Sequence, residues 1–118
     1  MSVESEIFDA LKGLVANRVY PDVAPEVVTK PYIVYQQVGG SAVNFVDPTV
    51  PSKKNGRFQI SVWGETRGSV STLARQVENA LRATASLQTT VLGAPVASYE
   101  VDTKLRGSRQ DFGFWFTS

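Results

Sequence analysis

Between Arg57 and Ala83 the chain switches from one hydrophobic period to another, and few folds accommodate both so close together. From Arg57 to Gly64 the residues alternate, with Phe58, Ile60 and Val62 pointing one way and Arg57, Gln59, Ser61 and Trp63 the other. A period of two is that of a half-buried strand. After Gly64 the spacing changes. Val70, Leu73, Ala74, Val77, Ala80 and Leu81 recur every three or four residues, which aligns them as one helical stripe. The spacing predicts a helix from Thr66 to Ala83, roughly 27 Å long at 1.5 Å per residue. Each element has one apolar face, and each can cover the other. Burying Phe58, Ile60 and Val62 contributes about 1.5–3 kcal/mol apiece before conformational entropy is set against it. A small sheet with a helix laid on it is the expected core.

The rest of the composition mainly excludes. The chain has neither cysteine nor histidine. Disulfides, thiol nucleophiles, zinc sites with nitrogen or sulfur ligands and every histidine-dependent catalytic arrangement are therefore absent. Its 118 residues predict one domain, residues 1–118. Hydrophobic residues at 42% and charged residues at 19% rule out global disorder. A net charge of +1 lacks the basic excess of a nucleic-acid binder, and it predicts modest solubility unless the chain assembles. No apolar run is long enough to span a bilayer, so no membrane partner is expected. Glu4, Glu6 and Asp9 near the start are unlike a signal peptide, and synthesis and folding are expected in a cytoplasm.

Taken in order, Ser2 to Ala16 reads as a first helix, with Val3, Ile7, Leu11 and Leu14 on one face and Ser2 as N-cap. Asn17 to Lys30 reads as irregular because Pro21 and Pro25 interrupt it. A strand follows from Tyr32 to Val38 with apolar residues on both faces at its start. That pattern fits a central strand, or one whose second face is covered by a neighbouring chain. Gly39 to Asn55 is a long connection of the kind that is usually functional or mobile, and it reads as either a free loop or a protruding hairpin. Ser86 to Leu92 reads as holding a short strand, and Val96 to Lys104 as a longer one with Tyr99 and Val101 on the core side. Leu105 to Gln110 reads as a basic turn. A last strand from Asp111 to Thr117 places Phe112, Phe114 and Phe116 on one face and Trp115 on the other. The expected class is α+β: a single, mostly antiparallel sheet of four to five strands with two helices on one face.

Candidate chemistry is sparse. Glu100 and Asp102 share a strand face, but an acid pair needs a cleft with carboxyls about 5–9.5 Å apart, and nothing here builds one. Gly39-Gly40-Ser41 lacks the spacing of a phosphate loop. The basic residues Lys53, Lys54, Arg57, Arg67, Lys104, Arg106 and Arg109 sit at strand ends. They read as a polar or protein-facing rim, with contact to a nucleic-acid backbone as the rival reading. The aromatics carry more. Trp63 and Trp115 fall opposite the apolar strand faces, which makes them either a second core layer or the centre of a subunit interface. Tyr32, Val34 and Phe45 also lack a home in one core, and the surplus favours self-assembly.

Several stretches together resemble the tail completion, or tail terminator, proteins of long-tailed bacteriophages and prophages. They are "RVYPDVAPE" at Arg18–Glu26, "PYIVYQQVGG" at Pro31–Gly40, "RFQISVWGET" followed by the long helix, and "DFGFWF" at Asp111–Phe116. The resemblance implies a structural, non-enzymatic protein without a cofactor. It implies a ring, usually a hexamer, that in some cases forms only on the tube. Such a ring sits at the head-proximal end of the tail, stops tube polymerisation and offers the head connector a docking surface. The implied partners are further copies of the chain, the tail tube protein and the head connector or neck protein, with transient, non-specific contact to passing DNA. The implied location is the virion tail, after assembly in the host cytoplasm. The family supplies no fixed site residues. Their aromatic or basic side chains on strand faces, strand ends and the long connection make Phe45, Lys53, Lys54, Arg57, Trp63 and Trp115 interface candidates and Arg106 and Arg109 candidates for the ring lumen. The alternatives are a neck or head-completion adaptor of the same virion and, from a different class, a small ligand-binding domain.

Overall fold

The alternating stretch becomes part of a long inner strand, and a computed structural model describing residues 2–117 shows what is built on it. Strand β1 is Val19–Pro21, β2 is Tyr32–Gln37, β3 is Lys53–Gly64, β4 is Thr90–Val91, β5 is Val96–Glu100 and β6 is Leu105–Thr117. Helix α1 is Val3–Leu11 and α2 is Arg67–Ala83. The sheet runs β1-β2-β3-β6, with β4 and β5 both pairing with β6 along its far edge. The β3–β6 pair, from Lys53 opposite Thr117 to Gly64 opposite Arg106, is its backbone.

The α+β class holds, but the sheet is larger than the four to five strands expected. It has six strands and is mixed, because β1 pairs parallel to β2 with Val19 opposite Ile33. Proline at the end of an edge strand is tolerated, since the lost N–H faces away from the ladder. Parallel neighbours need a crossover rather than a tight turn. Residues 22–31 supply it as an irregular strap, because Pro25 and Pro31 bar a helix there.

Partners opposite one another in an antiparallel ladder share a face. Phe58 lies opposite Phe112, Val62 opposite Ile33, and Ile60 opposite Tyr35. All six are buried in one core with Ile7 and Leu11 of α1 and Val70, Leu73, Ala74, Val77 and Leu81 of α2. The rings of Phe112 and Phe114 stack, with centroids 6.2 Å apart. The helices thus cover one side of the sheet.

The helix ends follow local chemistry. Ser2 caps α1 by accepting a hydrogen bond from the Ser5 N–H at 3.1 Å. α1 is shorter than expected. It tightens at Lys12–Leu14 and stops where Ala16 and Asn17 adopt left-handed backbone, with the Asn17 N–H donating to the Lys12 carbonyl. Asparagine is among the residues that tolerate this conformation. Thr66 caps α2 by accepting from the Ser69 N–H at 3.2 Å. Thr66→Ala is expected to cost about 1 kcal/mol, read as a lower urea midpoint with an unchanged slope.

Three expectations near the end of the chain are corrected. Leu105–Gln110 is strand, not turn, and β6 runs unbroken to Thr117. Tyr99 and Val101 are not core residues: Tyr99 shares the helix-side face with its ladder partner Arg106 but stays exposed, and Val101 falls in a turn. Every residue of β5 is exposed, because neither helix packs across it and α2 reaches it only through Arg67. The turn falls instead at Val101–Lys104, with Lys104 in left-handed backbone. Between β2 and β3, residues 38–52 carry no strand pairing and form an arm. Gly40 lies at its root, where φ is +148° and a side chain would run into the Asn55 carbonyl. Long β3 and β6 stretch the molecule to 52 Å, with a radius of gyration of 15.1 Å against about 13–14 Å for a compact chain of this length.

Candidate interaction surface

The helix-free side of the sheet is where the unassigned aromatics meet. On β2 and β3 the register sets Tyr32 beside Trp63, Val34 beside Ser61 and Gln36 beside Gln59. The strap crosses above them on one side. On the other, Glu100, Thr103 and Leu105 rise from the β5–β6 hairpin. Together they enclose an open groove of about 530 Å³. Its floor mixes Tyr32, Val34 and Trp63 with the polar Gln36, Gln59 and Ser61, and Leu105 is buried there. Tyr20 meets Tyr32 edge-on at 6.4 Å. Burial, and then the negative charge of Glu100, push the Tyr32 hydroxyl above its ordinary pKa.

Trp63 is half-buried because β6 makes room for it. Gly107 lies directly opposite Trp63 in the ladder. A methyl group at Gly107 would stand 2.7 Å from the Trp63 ring and 2.7 Å from Ser98 Oγ. Arg67, the first residue of α2, ties the same region together. Its guanidinium donates to the carbonyls of Gly107 and Ser98, each at 2.9 Å.

A second hollow, of about 470 Å³, lies toward the arm end of the same face. Its lining includes Trp115, Arg57, Leu92 and Gly113. Arg57 is engaged within the chain, since its Nε and Nη2 donate to Asp111 Oδ2 at 3.0 and 2.7 Å. The Arg57 side chain is 49% exposed, and an ion pair in such a setting contributes about 0.2–1 kcal/mol.

The structure therefore separates the residues that sequence reasoning grouped. Trp63 and Trp115 share the open face but occupy different hollows. Neighbours in a strand point to opposite faces, so Lys53 lies on the open face and Lys54 on the helix side. Arg106 and Arg109, three apart in β6, are likewise on opposite faces. Arg106 covers the Tyr99 ring at 5.0 Å. Phe45 sits exposed on the arm. The strap wall, with exposed Val23 and Val27, was not singled out from the sequence. Its signal is faint: three valines among prolines at Val23, Val27 and Val28, with neither helical nor strand period.

Chemically, the surface is equipped for contact. Among the described residues no group of three or more Asp or Glu is placed to hold a metal ion, and no helix is long and apolar enough to cross a membrane. Glu100 closes β5 while Asp102 lies in the following turn, so they do not form a facing pair. The other notable polar cluster is a brace. Buried Gln110 donates from Nε2 to Glu78 Oε1 and to the Gly93 carbonyl, each at 2.8 Å, fixing α2 to the turn before β5. Hydrogen bonds from Gln110, then from Arg82, hold the Glu78 carboxyl below its ordinary pKa. That contribution to stability is complete above the unfolded-state value of about 4.3 and is lost as pH falls through the lower folded-state value. In Glu78→Gln the loss of stability below about pH 4 is expected to be shallower than in the native chain, as read by urea unfolding across an acid series.

The comparisons with known proteins follow this geometry. A family model described as Tail completion protein gp17 matches residues 7–117. Among solved structures, a chain from the virion of a native gene transfer agent particle aligns with a TM-score of 0.66 at 18% identity, over 99% of this chain and 96% of that one. A second solved chain aligns with a TM-score of 0.54 at 14% identity, over 98% of this chain and 89% of its own. The curated proteins contain no match.

Proposed function

The chain belongs to the tail completion protein gp17 family, and on that premise we propose that it forms a ring on the head-proximal end of a phage-type tail tube. The chain is a structural tail completion protein. In the proposed role it stops tube growth and presents a docking surface to the head connector, and it catalyses no reaction. Its partners are further copies of itself, the tube protein and the connector, with DNA passing through the lumen. It assembles in the host cytoplasm and stays in the virion. The observation that carries this reading is the family match across residues 7–117, nearly the whole chain. The structure adds physical support. One side of the sheet is covered by helices, and the other keeps two tryptophans in hollows that no part of the described chain fills. Such a face suits the two-patch contacts from which a closed ring is built.

Tail length tests the reading. Deleting the gene is expected to give overlong, headless tails in electron micrographs. Headless tails of normal length would reassign the protein to an adaptor that joins finished tails to heads.

A further inference from the structure

Among the described residues nothing fills the open groove, and the arm leaves most of its large apolar side chains exposed. Among the described residues, every exposed large apolar side chain falls in one of three places. The strap carries Val23 and Val27, and the arm carries Val38, Phe45, Val46 and Val50. The β4–β5 edge and its turn carry the rest. The first flanks the groove and the second is the arm, whereas in the third Leu92 and Val96 line other hollows. Scattered exposed valines mean little; a group beside a groove and another on a projecting segment mark interaction surfaces. Charge points the same way. The groove lining includes the carboxylates of Asp22, Glu26 and Glu100 against the single ammonium of Lys30. Residues 38–52 carry only the charge of Asp47, and the basic charge lies just beyond them at the start of β3, in Lys53 and Lys54. No residue of 38–52 lines the groove, so the arm does not fill its own.

We propose that the arm, residues 38–52, of one copy seats in the groove between the strap and the β5–β6 hairpin of the next copy. The contact joins two different patches and therefore propagates in one direction around a ring. Phe45 and Val46 meet the Trp63 and Leu105 floor, and Lys53 approaches the acidic rim as the arm seats. The ammonium of Lys53 at the arm root is opposite in sign to the acidic groove rim, which favours this pairing over root against root. The inference rests on the ring reading above and deepens it by naming the two surfaces.

The absence of native cysteine gives a direct test. Val46→Cys and Val27→Cys lie at exposed positions, where substitutions leave folding nearly unchanged. The two variants are purified separately, mixed, and oxidised mildly at high concentration, both alone and with tail tubes. The mixed disulfide dimer is expected to exceed the dimer of either variant alone by about tenfold, because a heterologous contact brings unlike positions together. Dominant Val46–Val46 or Val27–Val27 dimers overturn the proposal. So does a disulfide that closes within one chain when both substitutions are present, and so does the absence of any mixed disulfide under both conditions. Tail length in infected cells, with each variant supplied in place of the native chain, separates the two claims. Normal tails without the mixed disulfide remove this contact and leave the tail-end role standing. A normal tail length after gene deletion removes that role, and the disulfide pattern still decides the contact.

Discussion

Phe58→Ala is expected to lower stability by about 3–5 kcal/mol, the range for truncating a fully buried aromatic. Phe58 is completely buried in the middle of β3. Its ring meets Phe114 at 5.6 Å, and its ladder partner is Phe112. The pair spans the two longest strands, so little can collapse into the cavity without breaking the β3–β6 ladder. A domain of this size has about 5–15 kcal/mol in total, so one substitution removes a large share. A urea titration of the isolated chain reads the loss directly. A change below about 1 kcal/mol would mean that the β3–β6 core repacks freely, against the close fit seen here. Gly56 shows how close that fit is, since a methyl group there would stand 2.9 Å from the Phe58 ring.

Phe58 also shows why so much of the architecture was legible in the sequence. Its alternation with Ile60 and Val62 and the stripe from Val70 to Leu81 are strong local periods, and both elements stand within a few residues of their expected bounds. The expectation failed where local pattern does not carry the information. β1 is only Val19–Pro21, and its parallel pairing with β2 depends on a contact across the strap. β6 looked broken because Ser108 and Gln110 take inward positions that apolar residues usually fill. Gln110 tolerates burial through its bonds to Glu78 and Gly93, partners no local window reveals. Tyr99 and Val101 have the alternation of a half-buried strand, but neither helix packs across β5, only Arg106 lies over Tyr99, and Val101 falls in the following turn. At the open face, aromatic surplus was legible and its partition was not. The sequence pairs Lys53 with Lys54 and Arg106 with Arg109, whereas strand geometry sends each pair to opposite sides.

Gly107→Ala is the sharper probe of that face, with an expected cost of about 1–3 kcal/mol from overpacking. Gly107 is buried near the start of β6. The clash there is with the Trp63 ring, at 2.7 and 2.9 Å, and with Ser98 Oγ. A serine hydroxyl can rotate away. The indole moves less easily, because it lies over the β6 backbone with Tyr32 as its ladder neighbour. The cost should therefore depend on the indole. In a Trp63→Ala background Gly107→Ala is expected to be nearly neutral, giving a coupling of about 1–3 kcal/mol in a double-mutant cycle. Equal costs in both backgrounds would place the strain on Ser98 and the backbone, and would leave Trp63 loosely seated. Strong coupling means that Gly107 holds the indole as a fixed groove floor before any partner arrives. A preformed floor lowers the ordering cost of association. On that account Gly107→Ala, by displacing the ring, weakens self-assembly on tail tubes beyond what its stability loss explains. Trp63→Ala weakens it by removing the floor outright.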